Sequence, residues 1–408
     1  MKVLQINAVY GQGSTGVIVK DIDEALQENG YKSFVAYANC NTIPNNGFKI
    51  GNKIDHKVHG MLTRTLGKQA YSSVLSTNKL LRYIDIINPD VIHLHNLHSN
   101  YINLNMLLKY IIKNDIKTVI TLHDCWFFTG KCFHYIADQC TKWQTECNTC
   151  PRLKKDVPSW FFDQTSKVFN DKKRYFELIS DLVVVGVSNW ISNEAKKSFF
   201  KDKEIATIHN GVDTVIFKPM ESNFRKKNNI EDKFVILGMA NKWLLPNNNP
   251  SLKYISNNLG ENYVLVLVGC SEAEKHNLPA NVIGLGYVNN KEELARIYSM
   301  ADVFVNTTWE DSFPTVNIES ISCGTPVITF DSCGSPEAID KDTGLIVPQG
   351  NYKQLWKAIM EIKQKGKHYY QQRCVEYGRE KYNKNDRYTD YILLYEEICN
   401  RDRMREKN

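Results

Sequence analysis

Long apolar runs are missing from this chain. No window of its 408 residues approaches eighteen uninterrupted apolar positions, so no transmembrane helix is expected. The opening MKVLQINAVYGQG has neither an extended apolar core nor a small-residue cleavage site, which argues against a secretory leader and for a cytoplasmic location. Low-complexity tracts and short-period repeats are also lacking. With 42% hydrophobic and 24% charged residues, the disordered, collagenous and fibrous classes fall away. Charge of one sign is scarce too: 51 basic against 45 acidic side chains leave +6, too dilute to argue for nucleic acid. Eleven cysteines in a cytoplasmic chain read as thiols or metal ligands rather than disulfides.

What is present is a regular alternation. Short β-branched runs, VLQINA (3–8), SFVAYA (33–38), DVIHLH (90–95), KTVITLH (117–123) and DLVVVGVS (181–188), read as buried strands. Between them lie helical patterns such as VIVKDIDEALQENG (17–30), with Gly30 as a stop, and INLNMLLKYIIKN (102–114). The second half repeats the pattern with FVILGMA (234–240), YVLVLVG (263–269), NVIGLG (281–286), DVFVNT (302–307), TPVITF (325–330) and LIVP (345–348). The fold class is therefore α/β, with two Rossmann-like, doubly wound parallel-sheet domains. The expected division is 1–212, then 213–380, with HNGVDTVIFKP (209–219) as linker and 381–408 as a helix packing back on the first domain. Ligands of such sheets bind at the carboxyl ends of the strands, so a cleft between domains is the expected site.

Two segments carry candidate chemistry. After the first strand comes Gly11-Gln12-Gly13-Ser14-Thr15-Gly16 and then a helix, an arrangement that brings backbone amides to an anion. It matches G-x-G-x-x-G, but Asn39-Cys40-Asn41 follows the second strand where a dinucleotide fold needs an acidic residue for the ribose, which weakens a dehydrogenase reading. The second segment is TTWEDSFPTVNIESISCGTPVITF (307–330). Asp311 lies in the loop, Pro314 suits a first helical turn, and Glu319 lies within the helix. The amides of Thr315 and Val316 are placed to meet a phosphate.

This last stretch resembles the E-x7-E signature of the retaining glycosyltransferases of family 4, which have the GT-B fold and use nucleotide-sugar donors. The resemblance extends to the glycine loop, DVIHLHNLHSNY (90–101), TLHDCWFFTGKC (121–132), VGVSNW (185–190), IHNGVDTVIFKP (208–219), GLGYVNNKEELARIYSMADVFV (284–305) and CGTPVI (323–328). The HDCWFFTGKC segment is similar to the subgroup of bacterial exopolysaccharide and capsule assembly. The resemblance implies that Glu319 holds the donor ribose and Asp311 the transferred sugar. It implies that the diphosphate meets the backbone of Pro314, Thr315 and Val316 and of the loop Gly13, Ser14, Thr15, Gly16, with Phe313 among the donor-binding residues. It also puts His123 close to the reacting centre, Tyr287 and Val288 at the base, and no cofactor in catalysis. The donor is then a UDP- or GDP-sugar and the acceptor a glycan or lipid-linked glycan; nucleic acid is not a partner.

Two departures stand out. The first carboxylate is Asp311 where the family has Glu, with Glu310 beside it as an alternative. The Arg and Lys that neutralise the leaving diphosphate in the family are replaced in GMANKWLLPNNNPS (238–251) by Pro246 and Asn247, leaving Lys242 as the nearby cation. Lys242 is then a substitute clamp, or the chain is a GT-B-shaped binding or regulatory protein with weak or no turnover.

Cys132, Cys140, Cys147 and Cys150 lie in a long, poorly periodic loop (125–158) and allow a structural zinc knuckle, although a C-x7-C pair exceeds the usual spacing and reduced thiols are the alternative. His95, Asn96 and His98, with His93, are placed on the acceptor side of the cleft or packed there, not on a metal. The aromatics of 160–176 fit core packing or a membrane-facing surface. The charge is uneven: residues 1–220 hold 27 basic and 20 acidic side chains, with clusters at Lys154-Lys155 and Lys172-Lys173-Arg174. Peripheral contact with an anionic membrane and a plain solvated helix face explain these clusters equally well.

Overall fold

A computed structural model describes residues 1–244 and 250–405. The chain forms two compact units, Met1–His209 with Asn385–Asn408, and Asn210–Lys384. The division falls at 209/210 and 384/385 instead of the expected 212/213 and 380/381. The reason is local: Val212 N–H donates to Tyr382 O at 2.7 Å and Lys384 N–H to Val212 O at 2.9 Å, which ties both junctions into the second unit.

The first unit holds β1 (Lys2–Tyr10), β2 (Lys32–Cys40), β3 (Gly47–Lys49), β4 (Val91–Leu94), β5 (Lys117–Leu122), β6 (Leu182–Gly186) and β7 (Glu204–Thr207). They form one sheet in the order β3-β2-β1-β4-β5-β6-β7, each pair parallel. The second unit holds β8 (Phe234–Met239), β9 (Tyr263–Val268), β10 (Val282–Leu285), β11 (Val303–Asn306), β12 (Val327–Asp331) and β13 (Gly344–Pro348). Its parallel order is β10-β9-β8-β11-β12-β13. Each expected strand forms; β3 and β7, two short edge strands, were not anticipated. In both sheets the order reverses once, between β1 and β4 and between β8 and β11, and the crevice at such a switch is where this architecture takes ligands.

The strands are covered on both faces, so their apolar runs are nearly continuous. The helix Gly13–Glu28 buries Ile18, Val19, Ile22 and Leu26 and stops at Asn29–Gly30, where Gly30 takes φ +77°. The helix Lys384–Arg405 joins Ile18, Ile22 and Leu26 in one cluster through Tyr388, Tyr391, Ile392, Tyr395 and Ile398. These pack with Val3 of β1, Val91 of β4, Val119 of β5 and Val183 and Val185 of β6. No helix among the described residues is long and apolar enough to cross a membrane.

Removing this helix's aromatics should unfold the first unit. Tyr395→Ala is expected to lower the stability of that unit by about 3–5 kcal/mol. Tyr395→Phe is expected to cost about 1–3 kcal/mol, because it leaves a buried ring nitrogen of His93 without its hydroxyl partner. Urea unfolding followed by fluorescence checks both.

Candidate functional site

In the first unit the polar groups gather where β1, β4 and β5 end. Gly11 (φ +68°) and Gly13 (φ +61°) shape the turn after β1, and the Gly11 amide donates to Gly16 O at 2.8 Å. A Cβ on Gly16 would press on Val9 at 3.0 Å, so that position needs glycine for close approach. The helix begins at Gly13 behind Gln12, which makes no side-chain cap, and Gly13 and Ser14 are exposed. The first amides of a helix have no intrahelical partner, which makes this end an anion-ready site.

Behind it runs a buried string of side chains. Gln5 Nε2 donates to Val19 O (3.2 Å), which turns Gln5 Oε1 toward His95 Nε2 (3.2 Å). His95 Nδ1 meets His123 Nε2 at 3.0 Å. Burial pushes the pKa of His95 well below the ordinary value and that of His123 down to about 4, so both rings are neutral. The protons are then assigned by the partners: His95 donates from Nε2 to Gln5, its Nδ1 accepts from His123 Nε2–H, and His123 is left with Nδ1 as an acceptor. His95 is 0% exposed, so of its two expected places it takes the packed one, behind His123. Its neighbour His93 is buried likewise, between Tyr395 (2.6 Å) and Thr121 (2.7 Å).

Asn96 and His98 are partly exposed. The Asn96 amide donates to Asn7 Oδ1 (3.1 Å) and its carbonyl accepts from Tyr101 (2.9 Å). His98 Nε2 meets Asp124 Oδ2 at 3.0 Å, and Asp124 also accepts the Trp126 amide at 2.8 Å. Burial works against the Asp124 charge, but these bonds hold its carboxyl below the ordinary range. Gln5 and Asp124 were not singled out from sequence. A glutamine inside an apolar run and an acid next to His123 are the only signals they give.

In the second unit the corresponding crevice carries the expected carboxylates. Lys242, in the short helix Ala240–Trp243 after β8, reaches Asp311 Oδ2 at 3.3 Å. The helix Thr315–Ser322 starts behind Pro314, its N-cap, without a side-chain cap, so the Thr315 and Val316 amides lie at its positive end. Phe313 is buried, and Glu319 Oε2 accepts from Tyr298 at 2.9 Å. Burial raises the Glu319 pKa above the ordinary carboxylate value, against the Tyr298 bond. Tyr287 is 78% exposed just after β10, with Val288 partly covered beside it. Pro246 and Asn247 lie outside the described residues.

The cysteine loop differs from its expected form. Cys132, Cys140, Cys147 and Cys150 all line one apolar pocket of about 20 Å³, with Tyr135 and Trp143. All four are free, and among the described residues no group of three or more His, Cys, Asp or Glu could hold a metal ion. The arrangement thus favours reduced thiols, the stronger of the two readings of these cysteines, over a zinc knuckle. Cys132 hydrogen-bonds Cys150, which lowers the Cys150 thiol pKa and raises that of Cys132, and Cys147 Sγ accepts the Gly130 amide at 3.3 Å.

The loop is supported instead by buried lysine side chains. Lys172 donates to Trp126 O (2.6 Å) and Thr129 O (3.0 Å) and stands 3.4 Å from the Trp126 ring centroid, and Lys131 donates to Arg152 O and Lys155 O. Of the basic clusters, Lys172 is 1% exposed and belongs to the core, Lys154 bonds Ser159 O and Trp160 O, and Lys155 pairs with Asp138 while its side chain stays exposed.

With the geometry in place, two family models match the chain: Glycosyltransferase Family 4 over residues 15–215 and Glycosyl transferases group 1 over 220–381. The colanic acid biosynthesis glycosyl transferase WcaC of Escherichia coli (strain K12) is 24% identical over 378 residues, 87% of this chain and 89% of that protein. Among solved structures, sucrose-phosphate synthase of Thermosynechococcus elongatus has a TM-score of 0.68 at 17% identity, over 97% of this chain and 98% of that one. Anabaena HepE in complex with UDP has a TM-score of 0.65 at 13% identity, over 97% and 100%. At such identities the solved structures speak for the fold alone.

The histidine string makes stability depend on pH in a defined direction. His123 binds its proton near pH 4 when folded and near 6.5 when unfolded, so its contribution is full above 6.5 and is lost as pH falls toward 4. The loss expected from this one ring is on the order of 3 kcal/mol. Urea midpoints across that range test the stability, and imidazole ¹⁵N shifts should show His123 as the neutral Nε2–H tautomer throughout its upper part.

Proposed function

We propose the following reaction for a chain that belongs to the family 4 and group 1 glycosyltransferases: a sugar moves from a nucleoside diphosphate sugar, UDP or GDP, to a hydroxyl of a glycan or lipid-linked glycan in polysaccharide biosynthesis, with retention of anomeric configuration. The observation that carries the donor half is Glu319. Its carboxylate is partly withdrawn from water one turn inside a helix whose N-terminal amides are uncapped, with Asp311 and Lys242 in the same unit.

In this reading Glu319 accepts the two ribose hydroxyls and Asp311 the hydroxyls of the transferred sugar. The diphosphate lies against Thr315 and Val316, with Lys242 supplying positive charge as the leaving group departs. The base stacks near Tyr287 and Val288. On the first unit the Gly13–Gly16 amides meet anionic oxygen, and His123 Nδ1 accepts a hydrogen bond from a sugar hydroxyl. Asn96 and His98 contact the acceptor.

The acceptor oxygen attacks the face from which the diphosphate leaves. The bond from the anomeric carbon to the diphosphate oxygen breaks as the new one forms, and the hydroxyl proton passes to the departing diphosphate. No cofactor takes part. The colanic acid pathway named for WcaC and the UDP held by HepE support the glycan and nucleotide classes.

Two sets of variants test this. Glu319→Gln should weaken binding of UDP or GDP in calorimetry by about tenfold to a hundredfold, since hydrogen bonds to a charged acceptor are worth about 1.5–3 kcal/mol. Lys242→Ala should leave that binding within a few-fold but slow nucleotide release from the cognate sugar donor by about 10²-fold. A chain that binds nucleotide yet releases none from a broad donor panel, with acceptors supplied, would instead be the binding protein without turnover.

A further inference from the structure

The hydroxyl of Tyr298 is buried against Glu319. Tyr298 lies on the helix Lys291–Met300, is 0% exposed, and donates to Glu319 Oε2 at 2.9 Å. Its ring is wedged edge-on between Phe217 and Phe304, at centroid distances of 6.3 and 5.5 Å, and its carbonyl accepts the Thr325 hydroxyl at 2.7 Å. A ring packed in this way cannot swing its hydroxyl elsewhere, so the carboxylate must come to it. Packing alone would be served by phenylalanine. A tyrosine here takes a hydroxyl out of water, and only the bond to Glu319 offsets that cost.

On the side of Glu319 the bond has two effects. It fills one acceptor position of the carboxylate, and the Thr315 hydroxyl, one turn back on the same helix, fills another. A carboxylate offers about four such positions, so about two remain, the number that a pair of adjacent hydroxyls needs. The bond also favours the charged form. Burial raises the pKa of Glu319, and the contacts from Tyr298, Lys291 and Thr315 lower it. Protonation would turn one of the remaining acceptors into a donor, so a site for two hydroxyls needs the carboxylate ionised. The other titratable groups nearby are Lys291, exposed at the start of the same helix as Tyr298, and Cys323, one turn after Glu319. Burial pushes the Cys323 thiol up, and it faces Lys367 of the helix Lys367–Tyr382.

We propose that Tyr298 is a positioning residue of the donor site: its hydroxyl holds the Glu319 carboxylate in one orientation, with an open edge for a vicinal diol. This rests on the reading of Glu319 as the acceptor of the ribose hydroxyls, and adds the group that readies the carboxylate before any ligand arrives. A nucleotide lacking one hydroxyl of the pair leaves an acceptor position unmatched, and Tyr298 sharpens the difference by keeping the carboxylate from turning to fit.

Tyr298→Phe in the full chain tests this. In calorimetry the variant should bind UDP or GDP about threefold to tenfold more weakly, with a smaller loss for the 2′-deoxy form of the same nucleotide. In a Glu319→Ala background the same substitution should change affinity by less than about twofold. As pH falls, nucleotide affinity should drop when Glu319 takes up its proton, and in Tyr298→Phe that drop should begin at higher pH, because a bond that lowers the carboxyl pKa is gone. The ¹³C shift of the Glu319 carboxyl in the ligand-free chain, assigned by its loss in Glu319→Gln, should move the same way. In the wild type the ring ¹³Cζ shift of Tyr298 should follow the midpoint of that carboxyl, a measurement that needs no variant to fold. Three results overturn the role of Tyr298: a carboxyl titration that Tyr298→Phe leaves in place, a Tyr298 signal that ignores it, or an affinity loss as large without the Glu319 carboxylate as with it, which marks a packing effect. A wild-type chain that binds neither UDP nor GDP would instead overturn the reading of the donor site, and the ligand-free titrations tell the two failures apart.

Discussion

A parallel sheet covered by helices on both faces has no wet side. Every polar group within it must find a partner inside the protein or lie at a strand end, and this constraint arranges the rest of the structure. Gln5 shows it at one position. Sitting in the middle of β1 and fully buried, its amide can be satisfied only by turning its nitrogen to Val19 O and its oxygen to His95. That choice fixes which nitrogen of His95 carries hydrogen, and through it which nitrogen of His123 is free to accept. A hydrogen bond in the core therefore decides the chemical character of a side chain at the rim.

The same constraint explains why the C-terminal helix returns to the first unit. Buried beside His95, His93 would be left with two unsatisfied ring nitrogens without Thr121 and the Tyr395 hydroxyl, and Thr121 in turn meets Tyr391 at 3.1 Å. Residues some 300 positions apart in sequence thus close one polar network. Tyr391 and Tyr395 supply apolar area to the sheet and hydroxyls to Thr121 and His93 respectively, which Phe in either place would not do.

The strands were legible because burial on both faces writes itself as runs of Val, Ile and Leu, and the two missed strands are those without such runs. GFK of β3 and EIAT of β7 are edge strands held by one neighbour, and nothing in their composition separates them from loop. Asp311 and Glu319 were marked by the family resemblance, and the glycine loop by its G-x-G-x-x-G pattern. The burial of His95 was not, since alternation along β4 does not say how deep its end lies. The cysteines show a different limit. Spacing brought the four thiols to one pocket, but their pairing depends on side-chain directions, and the loop's actual support, the Lys172 side chain under Trp126, joins residues 46 positions apart. The helix 53–66 reads as an ordinary amphipathic helix; only the structure reveals that its polar face is the inner one.

The two carboxylates of the second unit show how environment divides one chemical group into two characters. Glu319 is partly withdrawn from water, and this desolvation raises its pKa against the lowering effect of the hydroxyl bond from Tyr298. Asp311 keeps an ammonium at 3.3 Å, with 27% of its side chain and 23% of that of Lys242 still exposed. An ion pair so placed is held by roughly 1 kcal/mol or less, so it opens at little cost. A ligand that brings hydroxyls to the carboxylate and anionic oxygen to the ammonium satisfies both halves at once, and the pair holds both groups close to where such a ligand needs them. That is a physical reason for a lysine to stand opposite this aspartate whichever residues follow at 245–249.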